Sequence, residues 1–167
     1  MRGLAGVLLM FCATLALADA NADWPAYGRT PGEQRFSPLE QINKDTVGRL
    51  GLAWTQTLEH ERGLESTPLV IDGVMYLTGA WSVVYAFDAA KGTPLWTFDP
   101  KVDRTSAARA CCGVVNRGLA ASDGRLYAGT LDGRLIALMR KRARRSGARR
   151  PSSTPRALTP SPARRAW

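Results

Sequence analysis

A fixed internal offset constrains this chain more than any other feature. Asp72-Gly73-Val74-Met75-Tyr76 lines up with Asp123-Gly124-Arg125-Leu126-Tyr127, and Val84-Tyr85-Ala86-Phe87 with Leu135-Ile136-Ala137-Leu138, each pair 51 residues apart. In the first copy, short runs rich in β-branched and aromatic residues are parted by Asp72-Gly73, Gly79 and Ala90-Lys91-Gly92. They predict four antiparallel strands at Thr67–Ile71, Val74–Thr78, Val83–Phe87 and Pro94–Phe98. One such sheet cannot bury both faces alone, so copies must stack. A sheet-sized period therefore predicts an all-β fold of the β-propeller kind.

Before the repeats, residues 21–49 are punctuated by Trp24-Pro25, Tyr27-Gly28, Thr30-Pro31-Gly32 and Ser37-Pro38, an extended entry segment. Gln41-Ile42-Asn43-Lys44-Asp45 has the makings of one helical turn. Leu52 to Leu58 alternates apolar and polar residues, the period of a half-buried strand. Trp54, Trp81 and Trp96 read as core and blade-docking residues, Asp132 as the turn residue of Asp132-Gly133, and His60, between Glu59 and Glu61, as exposed.

The second copy breaks off. Ala86-Phe87 runs into Asp88-Ala89-Ala90-Lys91-Gly92-Thr93-Pro94-Leu95-Trp96, whereas Ala137-Leu138 runs into Met139-Arg140-Lys141-Arg142. Beyond Leu138 the composition is Arg, Ala, Ser and Pro, which cannot bury a core and predicts a disordered basic tail over residues 139–167. The abrupt change inside a repeat points to an out-of-frame or truncated reading, leaving about two blades in residues 21–138.

Charge follows the same boundary. The net charge is +9, but ten Lys and Arg lie in residues 139–167, and residues 1–138 carry 13 basic and 14 acidic side chains. The body has no electrostatic reason to bind nucleic acid. A genuine basic tail for nucleic acid or an anionic membrane is the competing reading of the C-terminus.

Residues 1–20 show Met1-Arg2, an apolar run from Leu4 to Leu17, and small Ala16, Ala18 and Ala20, the pattern of a cleaved secretory signal. The run is short for a membrane span, so no stable span is expected after cleavage, and the expected location is the periplasm. Cys12 would leave with the signal. Cys111 and Cys112 would then pair with each other, pair with another molecule, or stay reduced in an oxidising compartment. Adjacent cysteines that bond close a small strained ring, a rigid apolar plate, and Arg117 nearby is a fixed cation suited to a carboxylate.

Four strings carry a resemblance: Trp24-Pro25-Ala26-Tyr27-Gly28, Leu64-Glu65-Ser66-Thr67-Pro68-Leu69-Val70, Cys111-Cys112-Gly113-Val114-Val115-Asn116-Arg117-Gly118-Leu119 and Thr130-Leu131-Asp132-Gly133. Together they resemble the start of the pyrroloquinoline-quinone (PQQ) dependent alcohol dehydrogenases, methanol and ethanol quinoproteins among them. Ala86-x-Asp88-x-x-Lys91-Gly92-x-x-x-Trp96 also looks like that family's tryptophan-docking repeat, with Lys91 where Thr is common. The resemblance covers Ala22 to Leu138.

The resemblance implies an eight-bladed propeller with PQQ across its channel. It implies a Cys111–Cys112 vicinal disulfide packed on the PQQ plane, Arg117 on a cofactor carboxylate or quinone oxygen, and Glu65 hydrogen-bonded to its periphery. A flat rigid face with an arginine answers the shape and charge of a planar tricarboxylate. The implied chemistry is oxidation of a primary alcohol to an aldehyde: a metal, usually Ca²⁺ or another divalent or trivalent ion, acts as Lewis acid, and a carboxylate removes the alcohol proton. Electrons would pass to a cytochrome c. The family's metal ligands and catalytic Asp fall beyond Leu138, and Cys-x-x-Cys-His for a c-type haem is absent from the sequence. The expectation is an N-terminal fragment, inactive alone. A non-enzymatic propeller serving as a periplasmic assembly scaffold is the alternative; it shares the docking repeat but gives Cys111, Cys112 and Arg117 no role.

Overall fold

A computed structural model describes residues 22–59, 63–110, 112–142 and 145–149 of the chain. The signal segment, His60, Cys111 and residues 151–167 therefore lie outside the described residues, and so does the expected Cys111–Cys112 bond.

Two four-stranded antiparallel sheets form in chain order. The first holds β1 (Leu69–Ile71), β2 (Val74–Thr78), β3 (Val84–Asp88) and β4 (Pro94–Phe98); the second holds β5 (Ala120–Ser122), β6 (Arg125–Gly129), β7 (Leu135–Met139) and β8 (Arg145–Arg149). The β1–β2 and β5–β6 hairpins turn on Asp72-Gly73 and Asp123-Gly124. All four residues have φ between 48° and 72°, the left-handed pair that a two-residue turn needs to follow strand twist. Trp24 extends the first sheet by pairing with Val70 through bonds of 2.7 and 3.0 Å.

The predicted hairpins are found with shifts of one or two residues at their ends. The strand expected over Leu52–Leu58 is not: no strand lies there. Only Trp54 and Leu58 of that run are sheltered, a spacing of four rather than two. Trp54 lies over Gly92, where a Cβ would sit 2.5 Å from the indole, and donates from Nε1 to the Ala89 carbonyl at 3.1 Å. The run is a strap over the first sheet, and a strap needs two anchors, not a ladder. The expected turn before Val47 is present: Asn43 Oδ1 accepts from the Asp45 and Thr46 amides, ahead of a 3₁₀ turn at Val47–Arg49.

Strand structure continues past the boundary expected at residue 139. β7 runs through Met139, the Arg140 guanidinium meets Asp72 at 2.6 Å, and β8 pairs with β7. β8 is β4 displaced by the same 51 residues, and both pairings shift register at equivalent points, Ala86/Phe87 and Ala137/Leu138. Ladder bonds need only backbone N–H and C=O, and no proline interrupts the chain between Leu138 and Pro151. An edge strand can thus form from a sequence that could not build a core. The side-chain half of the repeat is lost: Trp96 packs against Tyr76 with ring centroids 5.8 Å apart, while Gly147 holds the equivalent position.

The core lies between the sheets. Ile71, Tyr76, Val84 and Ala86 of the first meet Leu126, Ala128, Ile136 and Leu138 of the second, all buried. Burying a leucine or isoleucine completely is worth about 1.5–3 kcal/mol, so Leu126, Ile136 and Leu138 dominate the cohesion of the pair. Val83, Tyr85 and Phe87 pack on the opposite face of β3 with Leu58 and Leu77.

Candidate functional site

The segment from Val114 to Gly118 leads into β5 and threads between two parts of the first sheet. The Val114 carbonyl accepts from the Trp81 amide at 2.8 Å, and the Arg117 carbonyl from the Thr67 amide at 3.2 Å. Gly118 makes a parallel bridge with Thr67 at a φ of +135°, and a Cβ there would stand 3.2 Å from the Thr67 carbonyl oxygen. Only glycine combines that torsion with so close an approach.

This threading brings together two of the four residues singled out in the sequence. Arg117 Nη2 lies 3.2 Å from Glu65 Oε2, the side chains 71% and 44% exposed. Beside them opens a cavity of about 360 Å³, lined by Tyr27, Thr67, Asn116, Arg117, Gly118 and Gly129 among others. Cys112 is exposed on the same segment, five residues before Arg117.

Sequence reasoning missed the polar cluster that holds this segment. Asn116 accepts at Oδ1 from the Thr78 hydroxyl at 3.0 Å and the Gly118 amide at 3.1 Å; its Nδ2 donates to Ser82 Oγ at 3.0 Å and the Gly129 carbonyl at 2.7 Å. Thr78 and Ser82 are fully buried, and the Thr78 amide donates to Ser66 Oγ at 3.0 Å. A signal was present: hydroxyl residues close the apolar runs of β2 and its connection to β3, where an unpartnered hydroxyl would be costly.

Two expectations about single residues are refined. Trp81 is half-buried in the left-handed region (φ 60°, ψ 21°), with the Arg104 guanidinium 4.0 Å above its ring. Asp132 is a turn residue and more: it pairs with Arg134 at 2.7 Å, and Arg134 Nη2 donates to the Pro100 carbonyl at 2.9 Å. The Arg134 and Thr130 bonds hold the Asp132 carboxyl well below the usual carboxylate range against its desolvation. This cluster ties the β6–β7 turn to the segment leaving β4.

Among the described residues no group of three or more His, Cys, Asp or Glu could hold a metal ion. No helix among them is long and apolar enough to cross a membrane.

Comparison with known proteins gives a consistent neighbourhood. The family model described as "PQQ: Glucose/ethanol/alcohol dehydrogenase, beta-propeller domain" matches residues 24–146. Quinohemoprotein alcohol dehydrogenase ADH-IIG of Pseudomonas putida is 48% identical over 156 residues, 84% of this chain and 22% of that one. The "1-butanol dehydrogenase (cytochrome c)" of Thauera butanivorans is 47% identical, covering 82% of this chain and 20% of its own. The solved ADHIIG structure from P. putida superposes with a TM-score of 0.77 at 49% identity, over 80% of this chain and 20% of that one. A europium-containing methanol dehydrogenase superposes at 0.72 and 35% identity, over 78% and 23% of the two chains. The chain thus spans about a fifth of the length of the curated relatives it matches.

Proposed function

The chain belongs to the family of PQQ-dependent glucose/ethanol/alcohol dehydrogenase β-propeller domains, and from that premise we infer that its Glu65–Arg117 pair grips the acid rim of PQQ. The observation that carries this is the exposed ion pair at 3.2 Å beside the cavity at Gly118. A guanidinium has five donors in a planar fork, and with 71% of this side chain exposed it can serve Glu65 and a ligand carboxylate together. Glu65 keeps an acceptor for a donor on the cofactor's edge. The residues present fit one end of a planar polyacid.

Bound PQQ would supply the acceptor for hydride from the alcohol carbon. This chain's own residues bind and orient. Arg117 and Glu65 fix the in-plane position, and Gly118 lets the backbone behind Arg117 close onto Thr67, where a Cβ would stand 3.2 Å from the carbonyl oxygen. The Cys111–Cys112 plate read from the sequence would support one face. The metal that the family implies, Ca²⁺ or another ion, does not fit the described residues, so no step is assigned to it.

The finer reading rests on the sequence and the relatives. The charged, apolar and small-residue pattern of residues 1–20 supports secretion to the periplasm. The names of the relatives support a primary alcohol as substrate and, for one of them, cytochrome c as acceptor. Matching only a fifth of those relatives supports a chain that holds cofactor without turning over alcohol alone.

The test is a PQQ titration of the purified 167-residue chain followed by tryptophan quenching, with alcohol-dependent dye reduction assayed in the same samples with added Ca²⁺. Saturable quenching that is lost in Arg117→Ala, without dye reduction, is the expected result. Wild-type and Arg117→Ala curves that superimpose would overturn the assignment of the pair, and measurable alcohol oxidation would overturn the inactivity.

A further inference from the structure

We propose that Asn116 is the positioning residue of this site: its carboxamide sets the places of both Arg117 and Glu65, and so the strength with which the pair holds a carboxylate ligand. The proposal rests on the PQQ reading for its ligand and on geometry for everything else. Asn116 engages four groups at 2.7 to 3.1 Å: the Thr78 hydroxyl, the Gly118 amide, Ser82 Oγ and the Gly129 carbonyl. Gly129 belongs to β6, while Thr78 and Ser82 belong to the end of β2 and the connection that follows it. One side chain therefore bolts the second sheet to the first where the cavity opens.

The bolt reaches both halves of the ion pair. On one side, the Oδ1 bond to the Gly118 amide curls the backbone around Arg117, whose carbonyl then receives the Thr67 amide. On the other, Thr78 donates its hydroxyl to Asn116 and its amide to Ser66 Oγ, next to Glu65. Glu65 and Arg117 are both largely exposed, and an exposed pair contributes too little to fix its own geometry. The order must come from the buried Thr78 and Ser82 hydroxyls and the half-buried Asn116 carboxamide behind it. A carboxamide suits the position because it presents acceptor and donor at once. Ala presents neither, and Asp keeps the acceptor that Gly118 and Thr78 use.

The experiment uses the full 167-residue chain and two readouts. Hydrogen exchange of Asn116→Ala should show the Gly118 and Thr67 amides exchanging at least tenfold faster, with β2–β3 amides unchanged. Asn116→Asp, which keeps the Oδ1 acceptor for the Gly118 amide but loses the Nδ2 donor to Gly129, should leave Gly118 better protected than Asn116→Ala does. Unchanged exchange at Thr67 and Gly118 in Asn116→Ala would overturn the proposal whether or not PQQ binds, so its failure is separable from failure of the functional reading. In the PQQ titration, Asn116→Ala should weaken binding about tenfold in the wild-type background and clearly less in Arg117→Lys, where the fork it positions is already gone, because a positioning residue acts only through the residues it positions. Equal weakening in both backgrounds would mark a general structural role and overturn the proposal.

Discussion

Arg117, which lines a cavity, and Glu65, far from it in the chain, stand 3.2 Å apart, and neither is buried. Burial and function separate here. An exposed pair of this kind contributes about 0–1 kcal/mol to stability, yet a guanidinium fork is a strong partner for an incoming carboxylate. Arg117→Ala should therefore leave the urea midpoint within error of wild type while weakening PQQ at least tenfold. Arg117→Lys, which keeps charge but not the fork, should fall between them. Equilibrium unfolding and fluorescence titration on the same preparations check both halves.

Gly118 is expected to be intolerant of any side chain. Its φ of +135° and the Thr67 carbonyl oxygen 3.2 Å from a built Cβ leave Ala no unstrained placement. Gly118→Ala should cost about 1–3 kcal/mol and should loosen the Thr67 amide. Gly124→Ala, with φ +72° but open space around its Cβ, should lose only the torsional part. Comparing the two by urea denaturation separates contact from torsion.

Acid should attack the Asp132–Arg134 cluster first. The Asp132 carboxyl is held well below its ordinary value, chiefly by its bond to Arg134. A depressed carboxylate stabilises the folded chain above the unfolded value, near pH 4, and that stabilisation is lost as pH falls through and below it. Asp132→Asn should flatten the stability profile below about pH 4. Asp132→Ala, leaving a half-buried Arg134 without its ion partner, should cost about 3 kcal/mol at neutral pH. Urea midpoints taken from pH 7 down to pH 3 test both.

Alkali should act through Tyr76. Burial pushes its phenol up to about 12, outweighing the nearby Arg140, and its hydroxyl donates to the Arg140 carbonyl across the sheet interface at 3.3 Å. The folded chain then binds a proton that the unfolded chain has released, so stability present below pH 10 declines as pH rises from 10 to about 12. Tyr76→Phe should remove that decline and lose about 0.5–1.5 kcal/mol at pH 7. Ultraviolet titration with parallel melting curves follows both.

Much of the fold could be read because its determinants are local. Asp72-Gly73 and Asp123-Gly124 take left-handed torsions that few other pairs accept, and alternation in Val84 to Phe87 assigns alternate side chains to opposite faces of one strand. The run Leu52 to Leu58 misled because alternation over seven residues does not reveal whether a partner strand is there to pair with it. The Arg-rich stretch after Leu138 misled in the other direction: composition reports on core formation, while an edge strand asks only for backbone groups and a template, which β7 provides.

The candidate site divides along the same line. Residue type marked Arg117, a fixed cation suited to a carboxylate, while Glu65 stood out only through the resemblance, since a lone Glu near a turn is usually solvated. The sequence by itself determined two repeated sheets and their turns. That Glu65 answers Arg117, and that Asn116 reaches Thr78, Ser82, Gly118 and Gly129 at once, only the packed sheets decided. Hydrogen bonds between distant segments depend on distances that no spacing along the chain encodes, and those distances exist only after burial of the Leu126, Ile136 and Leu138 side chains has pressed one sheet onto the other.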